Sequence, residues 1–324
     1  MLKEVDSRNQ GIDLARSLAI YLIVLTHVCH LSVGRWGVQL FFIISDYLLS
    51  DFKIAPSRFL RKRVARLFPL TFLLCTLFYL DVFADWNQLL LHFTLLQNAF
   101  PSPSGVPGLW SISNEWLFSI AVIFLIKITK RWFFILMISI TLLQFVTGYL
   151  VWEMDIIKYL ADEDKYALLI WINTTNPIIN LAFFLAGLGI RRKFLKFKSN
   201  WIVGLFLVIL TVLFHYLIGS VMPLWLFTLT YLFNLMKEIK LESKLLLRLV
   251  SNIGTTTFGI YFFHFLALNF FEKLYFFQSN ESDYREVILF AVVWVVSWVL
   301  GNLSWFLIEK PAILLERKFI SSSL

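Results

Sequence analysis

Charge is the scarcest thing in this sequence. Only 15% of its 324 residues are Asp, Glu, Lys or Arg, and 59% are hydrophobic. Soluble domains are about a quarter charged and about half apolar. A chain this poor in charge has too little to solvate the surface of a globule, which excludes an ordinary water-soluble fold. Cysteine is nearly absent too: Cys29 and Cys75, each inside a hydrophobic stretch. Two isolated thiols exclude a disulfide framework and show no metal-ligand spacing; they read as small apolar fillers. Glycine and proline are few, 13 and 8, which excludes collagen-like and disordered low-complexity chains. There is no internal repeat. The longest loops, about 25 residues, are too short to fold alone. We therefore expect one domain over 1–324 and no appended soluble domain.

What is present is long apolar runs, with 34 Phe and 12 Trp. Runs of about 20 apolar residues suffice to cross a bilayer. The hydropathy pattern places spans at 14–33, 38–54, 68–84, 110–126, 132–152, 167–190, 201–218, 221–236, 252–272 and 286–308. The first, Leu14 to Val33, is too long for a cleavable signal region and holds Arg16 and His27, so it is expected to stay as the first helix. The stretch Trp86 to Phe100 is short and contains His92, Gln97 and Asn98. It reads as interfacial or re-entrant.

The net charge of +8 does not point to nucleic acid, because the charges cluster in short loops between apolar runs. With the N-terminus inside, the inner segments hold 24 of the 29 Lys and Arg. The outer ones hold only Arg35, Lys158, Lys165, Lys273 and Arg285. Cytoplasmic loops carry the positive excess. The expected fold is thus all-α: a polytopic transmembrane bundle of about ten spans with both termini cytoplasmic. The acidic residues Glu153, Asp155, Asp162, Glu163 and Asp164 in one outer loop are compatible with this but add little.

Ionisable groups at bilayer depth cost at least about 2.5–3.5 kcal/mol, so they are the first functional candidates. Within the spans these are His27, His30, Asp46, Glu115, His215 and His264. At about 1.5 Å per residue, His27 and Glu115 fall about 8–9 Å from the outer span ends, and Asp46 and His264 about 12 Å. Four helices would place a group in one layer, as a reaction centre requires. The structural alternative is a histidine bonded to a neighbouring helix, or a glutamate wetted through Pro101 to Gly108. His30 and His215 lie near span ends and read as interfacial. The basic loop at 51–67 carries Arg58, Arg61, Lys62, Arg63 and Arg66. It reads either as positive-inside anchoring on anionic lipid or as a cytoplasmic site for a phosphorylated ligand. On a helix, Arg63 and Arg66 would share a face and grip phosphate.

Seven motifs in chain order resemble those of the acyltransferase 3 family of membrane O-acyltransferases. Gly11-Ile-Asp13-Leu-Ala-Arg16 is similar to the family's opening LDGLRA, and Arg16 and His27 match its Arg-x10-His spacing. Gly37-Val-Gln-Leu-Phe-Phe-Ile-Ile-Ser45 resembles GVDLFFVLS. Arg58 to Pro69 resembles the RRxxRLxP loop with its Arg-x-x-Arg. Trp110-Ser111-Ile-Ser-Asn-Glu115 resembles WSLSVE, Phe258-Gly-Ile-Tyr261-Phe-Phe-His264 resembles YGIYLIH, and Phe306-Leu-Ile-Glu-Lys-Pro311 resembles the closing IEKP. The chain departs from the pattern at Gln39, where the family has an acid, and at Asp46, where it has glycine. The two are seven residues apart, about 10 Å along a helix, so Asp46 does not replace an acid at 39.

The resemblance implies transfer of an acyl group, usually acetyl from acetyl-CoA, to a carbohydrate hydroxyl, without a metal. Arg16, Arg63 and Arg66 would hold the CoA phosphates. His27 would act as general base or be transiently acylated, with Glu115 orienting its ring. Tyr261 or His264 would hold the acceptor or the oxyanion, and Asp13, Asp46, Trp110 and Ser111 would support. The expected acceptor is a surface polysaccharide such as an O-antigen, or a lipid-linked precursor. The expected location is a bacterial cytoplasmic (inner) membrane. The competing readings are a transporter or flippase of a lipid-linked sugar, for which inverted repeats are missing, and a non-catalytic scaffold.

Overall fold

The computed structural model describes residues 9–30, 34–49, 55–82, 86–99, 108–153, 175–218, 222–274 and 284–321. The loop over 154–164, expected on the outer side, and the segment 101–107 lie outside them. Among the described residues there is no strand. The helices are α1 (Gln10–Val28), α2 (Gly34–Leu49), α3 (Pro56–Val82), α4 (Trp86–Phe93), α5 (Leu109–Leu125), α6 (Lys130–Glu153), α7 (Pro177–Arg191), α8 (Trp201–Ile218), α9 (Met222–Met236), α10 (Lys244–Glu272), α11 (Arg285–Ser304) and α12 (Lys310–Ser321). A 3-10 turn occupies Gln97–Ala99, and a π-helical turn, Trp305–Glu309, joins α11 to α12.

A helix stands at each position where hydropathy expects a span. Among the described residues three are long and apolar enough to cross a membrane by themselves: Gln10–Val28, Lys130–Thr147 and Arg285–Phe319. Trp36–Leu49, Leu109–Leu125, Pro177–Arg191, Trp201–His215 and Met222–Met236 are apolar but shorter. Phe124, Ile202 and Leu307 are exposed by 76%, 80% and 73%. Large apolar side chains left open on apolar helices suit a lipid surround better than water. The eight residues of α4 are too few to cross.

Four boundaries differ from the hydropathy reading, and side-chain caps explain two of them. Helix α1 starts at Gln10, because the Asn9 side chain accepts from the Ile12 amide at 3.1 Å. It ends at Val28, with His30 in the left-handed region at φ 50°. His27 therefore lies in the last turn rather than six residues from the end. Helix α10 starts at Lys244, eight residues before the expected span, with Ser243 capping the Leu246 amide at 3.4 Å. The basic stretch expected as a loop is helical from Pro56. Proline is pre-organised for a first turn, and Arg, Lys, Leu and Ala are good helix formers.

The chain divides into two compact units. The first comprises 1–41, 61–73 and 236–324; the second comprises 42–60 and 74–235. In the first unit α10 packs against both α1 and α11. Gly254 lets it ride against Asp13: a Cβ there would come within 3.0 Å of the Asp13 carboxylate. Gly259 lies where a Cβ would meet the Gly301 Cα at 2.8 Å. Small residues at such crossings are how membrane helices bring backbones together. Polar clamps add to this. Ser17 Oγ donates to the Val250 carbonyl at 3.1 Å. Asn252 donates to Asn302 at 2.8 Å and accepts from Trp298 Nε1 at 2.7 Å. In the second unit α7 packs on α5 and α6, with Gln144 donating to the Ile179 carbonyl at 2.6 Å. Phe133, Phe183, Phe184 and Phe233 form its fully buried filling.

Candidate active site

Arg16, His27, Arg63, Arg66, Tyr261 and His264 belong to the first unit; Asp46, Trp110, Ser111 and Glu115 belong to the second. Each group is described within its own unit.

His27 and His264 come together, with ring centroids 5.1 Å apart. They reach each other because α1 and α10 pack side by side. Each ring is held by its own helix. His27 Nδ1 donates to the Ile23 carbonyl at 2.8 Å, and His264 Nδ1 to the Ile260 carbonyl at 3.3 Å. A carbonyl oxygen only accepts, so each ring carries its proton on Nδ1 and leaves Nε2 as a lone pair. His264 is fully buried, and its Nε2 has no hydrogen-bond partner among the described residues. Tyr261, one turn back on α10, lies 5.7 Å from the His264 ring. Phe265 closes against both, at 4.6 Å from His27 and 4.0 Å from His264. The result is a packed aromatic cluster that contains both imidazoles.

The other residues of the first unit lie in the basic helix and at the start of α1. Arg63 is buried at 5% exposure, while Arg61 and Lys62 are open. Being three apart on α3, Arg63 and Arg66 lie on one face. Arg16 stands 4.0 Å from the Asp13 carboxylate. Glu309, which carried no role in the sequence reading, is buried in the π-helical turn. It accepts from Ser304 Oγ at 3.1 Å and lies within electrostatic reach of Arg66.

In the second unit the Glu115 carboxylate accepts from Ser45 Oγ at 2.9 Å. Asp46, the next residue on α2, is fully buried. Trp110 stacks edge-on against Phe42 at 6.5 Å. Ser111 is buried and donates to the Gly108 carbonyl at 3.0 Å, closing the first turn of α5. That turn can start because Gly108 takes φ 76°, a conformation glycine adopts freely.

Sequence reasoning missed a buried polar network behind this motif. Asn98 Nδ2 donates to the Trp110 carbonyl at 2.6 Å, to Asn114 Oδ1 at 3.1 Å and to the Thr175 carbonyl at 3.3 Å. Ser113 Oγ donates to the Leu95 carbonyl at 2.8 Å, and Gln97 Nε2 to the Leu109 carbonyl at 3.2 Å. The polar pair Gln97–Asn98 inside an apolar run was the available signal; its partners up to 77 positions away were not. Among the described residues no group of three or more His, Cys, Asp or Glu is arranged to hold a metal.

A family model described as an acyltransferase domain matches residues 9–307. No curated protein matches the sequence. No solved structure matches it either.

Proposed function

The chain belongs to the acyltransferase 3 family, and from that premise we propose that it moves an acyl group, acetyl in the first instance, from cytoplasmic acetyl-CoA to a hydroxyl of a cell-surface or lipid-linked carbohydrate. Acyl transfer by a membrane enzyme is what the family and the apolar helices support. The donor, the acceptor and the side of approach are our reading. The observation that carries it is the His27 ring, locked by Ile23 so that its Nε2 lone pair is available.

The residues present suit a phosphate-rich donor. Arg63 and Arg66 on one helix face, with Arg16 at the inner end of α1, can form charge-assisted bonds to the phosphates of CoA. His27 Nε2 then acts on the acyl-transfer chemistry, either as base on the acceptor hydroxyl or as the first acceptor of the acyl group. With Nδ1–H given to the Ile260 carbonyl, a neutral His264 has no N–H left to offer an oxyanion, so that role falls to the Tyr261 hydroxyl. Glu115, bonded to Ser45, is proposed as a catalytic carboxylate, and Trp110 as a residue on the acceptor side. Ser111 and Asp46 support that side, and Asp13 positions Arg16. The bundle is proposed to sit in a bacterial inner membrane with ten spans and both ends cytoplasmic.

The test uses purified protein in lipid nanodiscs with radiolabelled acetyl-CoA and added cell-envelope glycans. Wild type should label protein or glycan, while His27→Ala and Arg63→Ala should lose the label by at least about 100-fold, the usual reach of a positioned base. No label in wild type, with no binding of acetyl-CoA, would instead favour a transporter of a lipid-linked sugar.

A further inference from the structure

A single base explains one histidine in the aromatic cluster, not two. Within the acyl-transfer reading, on which this step rests, we infer that the two histidines divide the reaction: His27 carries the acyl group on Nε2, and His264 is the base that deprotonates the acceptor hydroxyl attacking it.

Four observations point this way. Both rings donate Nδ1–H to the carbonyl four residues back on their own helices, so both present Nε2 as a lone pair. The His264 Nε2 is buried and without a partner among the described residues. A buried nitrogen left unsatisfied is costly, and its presence asks for a use. The ring centroids are 5.1 Å apart. That separation puts the two rings in direct contact, so a group carried on one ring lies beside the other. The neighbours are aromatic: Phe265 touches both rings and Tyr261 flanks His264. An aromatic lining keeps competing water away from a reactive acyl-imidazole.

The steps balance. His27 Nε2 attacks the thioester carbon, the C–S bond breaks, and CoA leaves as the thiolate. The ring becomes an N-acylimidazolium, still donating Nδ1–H to Ile23. The acceptor hydroxyl then attacks the acyl carbon while His264 Nε2 takes its proton. The C–N bond to His27 breaks, the ester forms, and His27 is neutral again. His264 then releases that proton to solvent, where it balances the departed thiolate, so one thioester and one alcohol give one ester and one thiol. The division also separates the two substrates in time. Donor and acceptor need not occupy the site together.

Water serves as the probe acceptor, so the natural one is not needed. Wild type in nanodiscs is mixed with acetyl-CoA, and released CoA thiol is followed with a thiol reagent. Wild type should give one equivalent of thiol quickly and then slow turnover by hydrolysis. His264→Gln should keep the burst, and the steady phase should fall about 100-fold, the scale of general-base catalysis. Its trapped protein should hold acid-labile label on His27 by peptide mass. His264→Asn runs alongside, and each variant is taken only from the peak that elutes with wild type. A burst in either variant reports both folding and acylation. Loss of burst and turnover together in both well-eluting variants would overturn the assignment, because His264 would then act in the first step. Wild-type turnover in both variants would overturn it as well. No thiol release from wild type would remove the acyl-transfer reading itself, and this assignment with it.

Discussion

At the scale of single residues, the site is decided by which atoms are already committed. His27 and His264 each spend Nδ1 on a backbone carbonyl, and the chemistry is left to Nε2. The two arginines differ from their neighbours in the same way: Arg63 is buried while Arg61 and Lys62 are not. Arg63→Lys should therefore raise KM for acetyl-CoA about tenfold and leave kcat within about twofold. A point charge remains but the planar fork is lost. Lys62→Ala, on the exposed face, should change neither. Steady-state kinetics with varied acetyl-CoA would check both. Asn98 is a residue-scale case without direct chemistry. Its two amide N–H groups are shared among three acceptors on α5 and before α7. Asn98→Ala should lower stability by about 1–3 kcal/mol, the cost of leaving buried partners unmet, read as a drop in the thermal midpoint in detergent. Of these features, the identities of His27, Arg63 and His264 were readable from motif and spacing. The tautomers were not, because the carbonyl that fixes each one belongs to a helix turn that exists only once the chain is folded.

At the scale of elements, close approach of helices brings the histidines together. Helix α10 is held on one side by Gly254 against Asp13 and on the other by Gly259 against Gly301. Gly259→Ala would set a Cβ 2.8 Å from the Gly301 Cα. Backbone cannot yield as a side-chain tip can, so we expect a loss of about 1–3 kcal/mol, typical of overpacking. Gly204→Ala is the matched control. Its Cβ would meet the Leu235 Cδ1 at 2.8 Å, a flexible tip that can rotate away. Its thermal midpoint should stay close to wild type. Caps set the ends of these elements more than hydropathy does. Asn9 and Ser243 start α1 and α10 where their side chains satisfy free amides, several residues outside the apolar windows. Apolar runs reveal that a helix exists; they say little about where it stops.

At the scale of the whole molecule, the charge pattern makes a claim that labelling can test. With 24 of 29 Lys and Arg assigned to inner segments, Lys198 should face the cytoplasm and Tyr284 the outside. Single cysteines at these positions, in a background with Cys29 and Cys75 replaced by serine, should react differently with a membrane-impermeant maleimide. Tyr284→Cys should label in intact cells, and Lys198→Cys only after permeabilisation. The reverse pattern, or equal labelling, would undo the ten-span orientation.

The sequence by itself determined the class of molecule, because apolar content and run length are properties of composition. It also marked the candidate site residues, because spacing along one helix is local: Arg16 to His27, Arg63 to Arg66, Trp110 to Glu115. Only the tertiary structure decided which of these meet. His27 and His264 are 237 positions apart in the chain, and nothing local says that α1 and α10 lie side by side. The same holds for Ser45 with Glu115, and for Asn98 with Thr175. The physical reason is the one that makes glycines informative here. A helix pair is chosen by how closely two backbones can approach, and that depends on what both surfaces present at the same height, not on either sequence alone.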